Sequence, residues 1–261
     1  MLRKKAKAFL VGPFIGELSW EFYRFAPYII HLKKENPTIK VIVFTRPSRF
    51  DLYGLYADIL VPLKLSNDKS SAQDCFKIKG ISDKKYSLLS KVFTIKYQKQ
   101  YKVVDHIHPD ISKFYYKMKW QYSRNLMDYD FKPRSANAKY IKKYDSNNLI
   151  FYDFNEIHPQ CLRKYDCVGF GNAFFEELSS DHKSPNLTSL GCLIELIRKC
   201  KFVVSSFDSY IAHLSLLLKT PVIAPNKNIT EDKINLLNPL NTPVILYDEL
   251  ERGIECYENN I

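Results

Sequence analysis

The chain has 261 residues, 46% of them hydrophobic and only 8 of them Gly, so it can bury a large core, which excludes a disordered protein. No apolar run approaches the roughly 20 residues that cross a bilayer, and a membrane-spanning segment is therefore not expected. The net charge of +11 favours a polyanionic partner.

The positive charge is concentrated in the middle of the chain. Residues 77–143 contain 17 Lys and Arg against 5 Asp and Glu, a balance of +12, whereas residues 144–261 contain 10 against 16, a balance of −6. The basic stretch also holds 12 aromatic residues, and this mixture suits a polyanion with stackable bases, which favours nucleic acid. The alternative is a solvated lysine-rich helical face whose aromatic rings turn into the core.

The beginning of the chain predicts a βαβαβ arrangement of the doubly wound type. Strands are expected at residues 8–11, 39–44 and 59–61, with a helix over about residues 19–34 between the first two. Pro27 lies inside this helical pattern and is expected to kink the helix or split it in two.

The turn after the first strand, Gly12-Pro13-Phe14-Ile15-Gly16-Glu17, lacks the third glycine of the dinucleotide-binding fingerprint. Its two glycines are expected to allow a tight turn and the close approach of a ligand. Glu17 opens the following helix, where its carboxylate either caps the helix or faces a cleft as a general base.

Residues 64–143 predict helices near 84–92 and 112–126, joined by loops. Two motifs in this stretch contain potential metal ligands. Residues 105–110, Asp-His-Ile-His-Pro-Asp, do not have the spacing of a known metal site, and a satisfied surface cluster is expected. Asp128-Tyr129-Asp130 matches the Asp-x-Asp of metal-dependent sugar transferases, but it follows a basic, polar segment rather than a buried strand, so no metal site is predicted.

The rest of the chain predicts a second α/β half. Strands are expected at residues 149–152, 166–170, 202–204, 222–224 and 243–247, a helix at residues 190–199, and a final helix or a loose end over residues 248–258. The 6 cysteines form no Cys-x-x-Cys pair and no zinc spacing, which predicts buried free thiols in a reducing, cytoplasmic compartment.

One polar turn of this half, Ser205-Ser206-Phe207-Asp208-Ser209, is the first candidate for a ligand site. It lies between a short apolar run and a helical pattern, which are followed by another strand in a βαβ unit over residues 200–225. Ligands of parallel sheets bind at the carboxyl ends of the strands, where this turn is expected. The alternative is an ordinary helix cap, because Ser and Asp are favoured at that position.

Several motifs around this turn resemble the donor-binding half of heptosyltransferase-type glycosyltransferases. The resemblance rests on Asn186–Leu190, Leu193–Ile197, Cys200–Ser205, Asp208-Ser209, His213-Leu214 and Thr220–Val222, with Tyr210 where that family usually has Gly. It implies the GT-B fold, in which two Rossmann-like domains face each other across a cleft. It also implies an acceptor-binding domain at residues 1–143 and a nucleotide-sugar-binding domain at residues 144–261.

The resemblance further implies a metal-independent hexosyl- or pentosyltransferase with no cofactor besides its co-substrate, a nucleotide sugar. The expected catalytic base is Glu17. The expected donor-binding residues are Arg163, Lys164, Ser205, Ser206, Asp208, Ser209 and His213. The expected acceptor-binding residues are Gly16, Arg46, Arg49, Lys117, Lys119 and Arg124.

The acceptor is predicted from composition and charge. The Lys-, Tyr-, Asn- and Ile-rich sequence is similar to proteins of AT-rich bacterial viruses, and such viruses glycosylate hydroxymethylated bases in their DNA with GT-B enzymes. The predicted acceptor is therefore hydroxymethylcytosine in double-stranded phage DNA, reached by base flipping or through the major groove. The alternatives are a surface-glycan or lipopolysaccharide glycosyltransferase, whose basic face lies on anionic lipid, and a non-catalytic nucleic-acid-binding protein on a degenerate transferase fold.

Overall fold

The structure, a computed structural model, describes residues 5–14, 16–63, 82–108, 126–134, 147–154, 160–169 and 189–260. The chain divides into two compact units, one of residues 1–136 with 188–191 and the other of residues 137–187 with 192–261. The predicted domain boundary between residues 143 and 144 lies outside the described ranges and stays a prediction.

Within the described part of the first unit, four parallel strands form one sheet. The strands are β1 (Lys7–Val11), β2 (Lys40–Thr45), β3 (Ile59–Pro62) and β4 (Lys102–Ile107), in the order β3-β2-β1-β4. The predicted βαβαβ beginning is confirmed. The fourth strand contains part of the Asp-His-Ile-His motif. The alternation of polar and apolar residues in this motif is compatible with either a strand or a loop.

The predicted first helix is divided into three segments. The helical turn α1 (Leu18–Trp20) continues as a π-helical turn (Glu21–Phe25), and α2 (Ala26–Glu35) follows. Pro27 lies in the first turn of α2, where a backbone N–H would have no acceptor within the helix, so proline is tolerated there. The predicted split of the helix is therefore found. Two 3₁₀ segments, Pro47–Leu52 and Gly54–Tyr56, follow β2.

Helix α3 (Asp83–Gln100) is twice as long as the helix predicted near 84–92. Its buried face, formed by Tyr86, Phe93 and Tyr97, packs on the first sheet. These aromatic rings are therefore in the core, as the alternative interpretation of the basic stretch proposes. The helix predicted at residues 112–126 lies outside the described ranges except for Leu126.

The described part of the second unit contains five parallel strands. They are β5 (Leu149–Tyr152), β6 (Asp166–Val168), β7 (Val203–Val204), β8 (Val222–Pro225) and β9 (Val244–Tyr247), in the order β6-β5-β7-β8-β9. The helices are α4 (Leu190–Lys199), α5 (Tyr210–Leu217), α6 (Glu231–Leu237) and α7 (Leu250–Asn260), with a 3₁₀ turn at Gln160–Leu162. The predicted strands and helices of this half are confirmed, and the acidic tail is a helix.

The strand order reverses beside the first strand of each sheet. In the first unit β1 lies between β2 and β4, and in the second unit β5 lies between β6 and β7. Ligands of open parallel sheets bind outside the carboxyl ends of the strands at such a reversal. In the first unit, the residues at the reversal point are His108 and the turn that follows Val11. In the second unit they are Asp153 and Ser205.

The described cysteines are free thiols. Cys167, Cys192 and Cys200 are buried as predicted, whereas Cys256 is exposed on α7. Among the helices of the described ranges, none has both the length and the apolar character needed to cross a bilayer.

Candidate functional site

Three side chains form a hydrogen-bonded cluster at the reversal point of the second sheet. The hydroxyl of Ser205 donates to the Asp153 carboxylate at 2.9 Å, and the hydroxyls of Ser205 and Ser209 are 2.5 Å apart. Burial raises the pKa of Asp153, while the hydrogen bonds from the two serines oppose this shift. The cluster therefore places a partly desolvated carboxylate beside two hydroxyls where a ligand of this sheet would bind.

Ser209 is also the N-cap of α5. Its Oγ accepts hydrogen bonds from the backbone amides of Ile211 and Ala212, both at 3.1 Å. The predicted helix cap and the predicted ligand turn are thus the same structure. An anion such as phosphate is favoured at this helix N-terminus, where the Ser209 hydroxyl and the first amides of α5 are hydrogen-bond donors. Tyr210, at the position where Gly was expected, begins the helix and is half-buried.

A Ser209→Ala variant separates capping from ligand binding. Loss of an N-cap hydroxyl costs about 1 kcal/mol of stability, and we expect the same from Thr230→Ala, because Thr230 caps α6 through the amide of Lys233. Only Ser209→Ala is expected to weaken nucleotide-sugar binding, by about tenfold. Calorimetric titration and denaturant unfolding of both variants measure the two effects, and equal nucleotide affinity in the two would contradict the assignment of Ser209.

The other predicted donor-binding residues of this region differ in their surroundings. Ser206 is exposed beside Ser205, and Asp208 is exposed with an ion pair to Lys233 at 2.5 Å. His213 is buried on α5, where burial lowers its pKa, and its ring lies edge-on to Phe207 at 6.3 Å.

The structure does not bring Arg163 and Lys164 to this cluster. Both residues are exposed and precede β6, so they lie at the amino ends of the strands, opposite the end that carries Ser205. Lys164 pairs with Glu258 of α7 at 2.7 Å. Both residues are predicted on the loop after the strand at residues 149–152, but they directly precede β6, and in a parallel sheet the residues before a strand and those after it are at opposite edges.

In the first unit, Glu17 lies at the N-cap position of α1 with an extended backbone, and its side chain makes no capping hydrogen bond. It is exposed at the carboxyl end of the first sheet. Gly12, at the start of the same turn, has a φ of +90°, and a Cβ there would lie 2.3 Å from the carbonyl oxygen of Phe44. The tight turn therefore requires glycine at this position.

A buried ion pair between Glu21 and Arg49, which the sequence did not reveal, contacts this turn through the carbonyl of Gly16. The Glu21 carboxylate, which is 0% exposed, accepts hydrogen bonds from Arg49 at 2.8 Å, Tyr53 at 2.6 Å and Thr45 at 3.1 Å. Arg49 also donates to the carbonyl of Gly16 at 2.9 Å, so this network fixes the residue before Glu17. Burial, with the nearby Glu21 charge, raises the pKa of Tyr53.

The predicted acceptor-binding residues fall into two groups. Gly16 is half-buried, whereas Arg46 and Arg49 are buried with exposures of 2% and 1%, and Arg49 is engaged by Glu21. The Arg49 guanidinium is therefore held by Glu21 and the Gly16 carbonyl inside the first unit, and its contact with an acceptor stays a prediction. Lys117, Lys119 and Arg124 lie outside the described ranges, and their assignment stays a prediction.

Two histidines lie near the same turn, His106 in β4 and His108 just after the end of this strand. His106 lies 2.9 Å from the carbonyl oxygen of Gly12, and His108 contacts the hydroxyls of Ser90 at 3.1 Å and Tyr86 at 3.3 Å. In its described part, residues 105–108, the expected cluster is satisfied, with Ile107 and His108 buried and Asp105 and His106 half-buried rather than on the surface. Burial lowers the pKa of both imidazoles, that of His108 to about 3.

The depressed histidine pKa values predict a loss of stability in mild acid. Unfolded His108 binds a proton below its ordinary pKa of 6.5, whereas the folded residue does so only near 3. The free energy of unfolding is therefore unaffected by His108 above pH 6.5 and decreases as the pH falls towards 3. At about pH 5 the decrease is roughly 2 kcal/mol. Denaturant unfolding above pH 6.5 and at about pH 5 should show a weaker pH dependence of stability for His108→Gln than for the His31→Gln control. Equal slopes would contradict the prediction.

The Asp128-Tyr129-Asp130 motif is neutralised by lysines. Lys34 pairs with Asp128 at 2.6 Å and with Asp130 at 3.0 Å, and Lys132 pairs with Asp130 at 3.1 Å. Although burial opposes the shift, hydrogen bonds from Tyr56, Lys34 and Lys132 lower the pKa of Asp130 to about 2. In the described residues, no group of three or more His, Cys, Asp or Glu side chains is arranged to hold a metal ion.

Comparison with known proteins identifies the fold. No protein-family model matches the chain, and no curated protein matches it. A glycosyl transferase family 9 structure from Veillonella parvula DSM 2008 is similar, with a TM-score of 0.55, 12% identity and coverage of 100% of this chain and 91% of that one. E. coli heptosyltransferase WaaC with ADP-2-deoxy-2-fluoro heptose has a TM-score of 0.54 and 12% identity, covering 98% and 100%.

E. coli ADP-heptose lps heptosyltransferase II is also similar, with a TM-score of 0.53, 12% identity and coverage of 97% of each chain. At this identity the likeness shows the fold. The predicted class is therefore confirmed as a mixed α/β protein with two parallel, Rossmann-like sheets of the kind found in GT-B glycosyltransferases.

Proposed function

We propose that this protein is a glycosyltransferase that moves a sugar from a nucleotide-sugar donor to a hydroxyl acceptor. The observation that carries the proposal is the cluster of Asp153, Ser205 and Ser209 at the reversal point of the second sheet, in the fold of heptosyltransferases. One similar structure is described with ADP and another with an ADP-linked sugar, which supports a nucleoside diphosphate sugar as the donor.

Each cluster residue has a proposed role in donor binding. Ser205, Ser209 and the first amides of α5 donate hydrogen bonds to the pyrophosphate, for which the positive end of the helix dipole adds attraction. Asp153 follows β5, where a carboxylate is suited to accept hydrogen bonds from ribose hydroxyls, as acidic residues do in related nucleotide-binding folds.

Glu17 is the proposed general base. Its exposed carboxylate takes the proton of the acceptor hydroxyl while the acceptor oxygen bonds to the anomeric carbon of the sugar. The bond from that carbon to the phosphate oxygen breaks, and the nucleoside diphosphate leaves with the bonding electrons. The proposed role of the Ser205–Ser209 turn is to stabilise the charge that develops on the leaving group, without a metal ion.

Two acceptors are compatible with the proposed reaction. Hydroxymethylcytosine in DNA is supported by the charge of residues 77–143, but Tyr86, Phe93 and Tyr97 of this stretch are buried and do not offer rings for base stacking. A surface glycan is the second candidate, because one similar structure is described as an lps heptosyltransferase. Both candidates use the same donor site.

A transfer assay tests the activity and the acceptor together. The purified protein is incubated with a panel of nucleotide sugars and with either hydroxymethylcytosine DNA or a lipopolysaccharide core lacking its outer sugars. We expect release of nucleoside diphosphate and a mass increase of one sugar on one acceptor, unchanged by EDTA. Salt-sensitive DNA binding without turnover across the panel would instead support a non-catalytic nucleic-acid-binding protein.

A further inference from the structure

Helix α3 has an exposed apolar stripe on the side opposite its buried aromatic face. Leu88, Val92 and Ile95 are 61%, 55% and 45% exposed, and their spacing places them on one face of the helix. The stripe is a feature of the folded protein, because Phe93 and Tyr97 already bury the other side against the first sheet and Tyr86 on that side is buried as well. Three neighbouring aliphatic side chains on one solvated face mark an interaction surface.

Lysines border this stripe on both sides. At 100° per residue, Lys84 and Lys91 fall on one side of the stripe, Lys85 and Lys96 on the other, and Lys99 continues its line. All five lysines are exposed, and the helix contains no acidic residue after Asp83. The face therefore has an aliphatic centre and a wholly cationic border.

We propose that this face of α3 docks the protein on an anionic lipid bilayer. Aliphatic side chains enter the boundary between headgroups and acyl chains, while lysine ammonium groups reach the phosphates along their flexible stems. The outer surface of duplex DNA is its phosphate backbone, and apolar contacts are confined to base edges within the grooves, whereas lysine is depleted at interfaces between proteins. The charge and shape of the face are thus complementary to anionic lipid. The proposal does not depend on the transferase activity.

Vesicle flotation of the full chain without nucleotide sugar tests this proposal. The probe is a vesicle of phosphatidylcholine and phosphatidylglycerol in equal parts, with phosphatidylcholine vesicles as the neutral comparison. We expect binding to the anionic vesicles, weakened by salt, and little binding to the neutral ones. A Lys91→Gln/Lys96→Gln variant should bind the anionic vesicles about 25-fold more weakly, because each lysine near such a surface strengthens binding about fivefold.

The apolar stripe has its own matched variants. Leu88→Ser/Val92→Ser/Ile95→Ser should weaken binding at least about tenfold, whereas Leu55→Ser/Leu236→Ser removes two exposed leucines elsewhere and should leave it unchanged. Thermal unfolding checks that both variants fold. In a second measurement, Leu88→Trp should give a fluorescence blue shift with anionic vesicles, compared with the unaltered chain.

Three results would overturn the proposal. Flotation of the stripe variant at the level of the unaltered protein would show that the aliphatic side chains do not enter the bilayer. Binding of duplex DNA through Lys91 and Lys96, without vesicle binding, would assign the face to nucleic acid. A change from dimer to monomer in the stripe variant, again without vesicle binding, would assign it to a second copy of the chain.

Discussion

Replacing Glu21 by glutamine is expected to destabilise the first unit by about 3–5 kcal/mol, or roughly 10 °C in unfolding temperature. The substitution removes the carboxylate charge that lies 2.8 Å from the buried Arg49 guanidinium, which is 1% exposed. Denaturant unfolding measures the loss. The carboxylate also accepts hydrogen bonds from Tyr53 and Thr45, so its removal disturbs three partner side chains at once.

Two further variants make this prediction specific. Glu195→Gln is the matched control, because Glu195 pairs with Arg198 on α4 in a partly exposed i,i+3 pair, and its loss should cost about 0.5 kcal/mol. Adding Arg49→Met to Glu21→Gln should recover part of the loss, since the buried guanidinium charge that has lost the Glu21 carboxylate is then removed as well. A cost for Glu21→Gln as small as that of the control would contradict the buried network.

Glu17→Gln is expected to lower turnover by about 10²–10⁴-fold, the usual contribution of a general base. Gln keeps the shape of the side chain but does not accept the acceptor's proton. Because Glu17 is exposed and makes no capping hydrogen bond, the unfolding temperature and the affinity for the nucleotide sugar should stay unchanged. Steady-state kinetics with saturating donor measures the fall in kcat.

Glu35→Gln provides the control for Glu17. Glu35 is an exposed carboxylate at the last position of α2, so its substitution should preserve both kcat and stability. Full turnover in Glu17→Gln would remove Glu17 as the base. A parallel fall in kcat and in unfolding temperature would assign it a structural role instead.

Local sequence patterns predict most of the regular structure. The strands at Leu149–Tyr152 and Val222–Pro225 are short apolar runs between turn residues, and Pro27 predicts the division of the first helix. The prediction for helix α3 ends too early, at residue 92, because Ile95 on its solvated side blurs the apolar period that marks a helix.

The site was only partly predictable for a different reason. Ser205 and Ser209 are close in sequence and follow a strand, so the turn was visible, and Asp153 could have been found by the same rule because it directly follows β5. The Glu21 network was not visible, since its partners Thr45 and Tyr53 are 24 and 32 residues away. Only the packing of the first helix against the segment after β2 brings them together.

A nucleotide sugar bound at the reversal point of the second sheet, as we propose, would protect the backbone there from hydrogen exchange. The exchange of the full chain is measured with and without each member of a nucleotide-sugar panel. We predict slower exchange in peptides that contain Asp153 and the first turn of α5, at Tyr210–Ala212, with one donor, and loss of this protection in Asp153→Ala. Protection confined to other peptides, or none with any donor, would contradict this proposal.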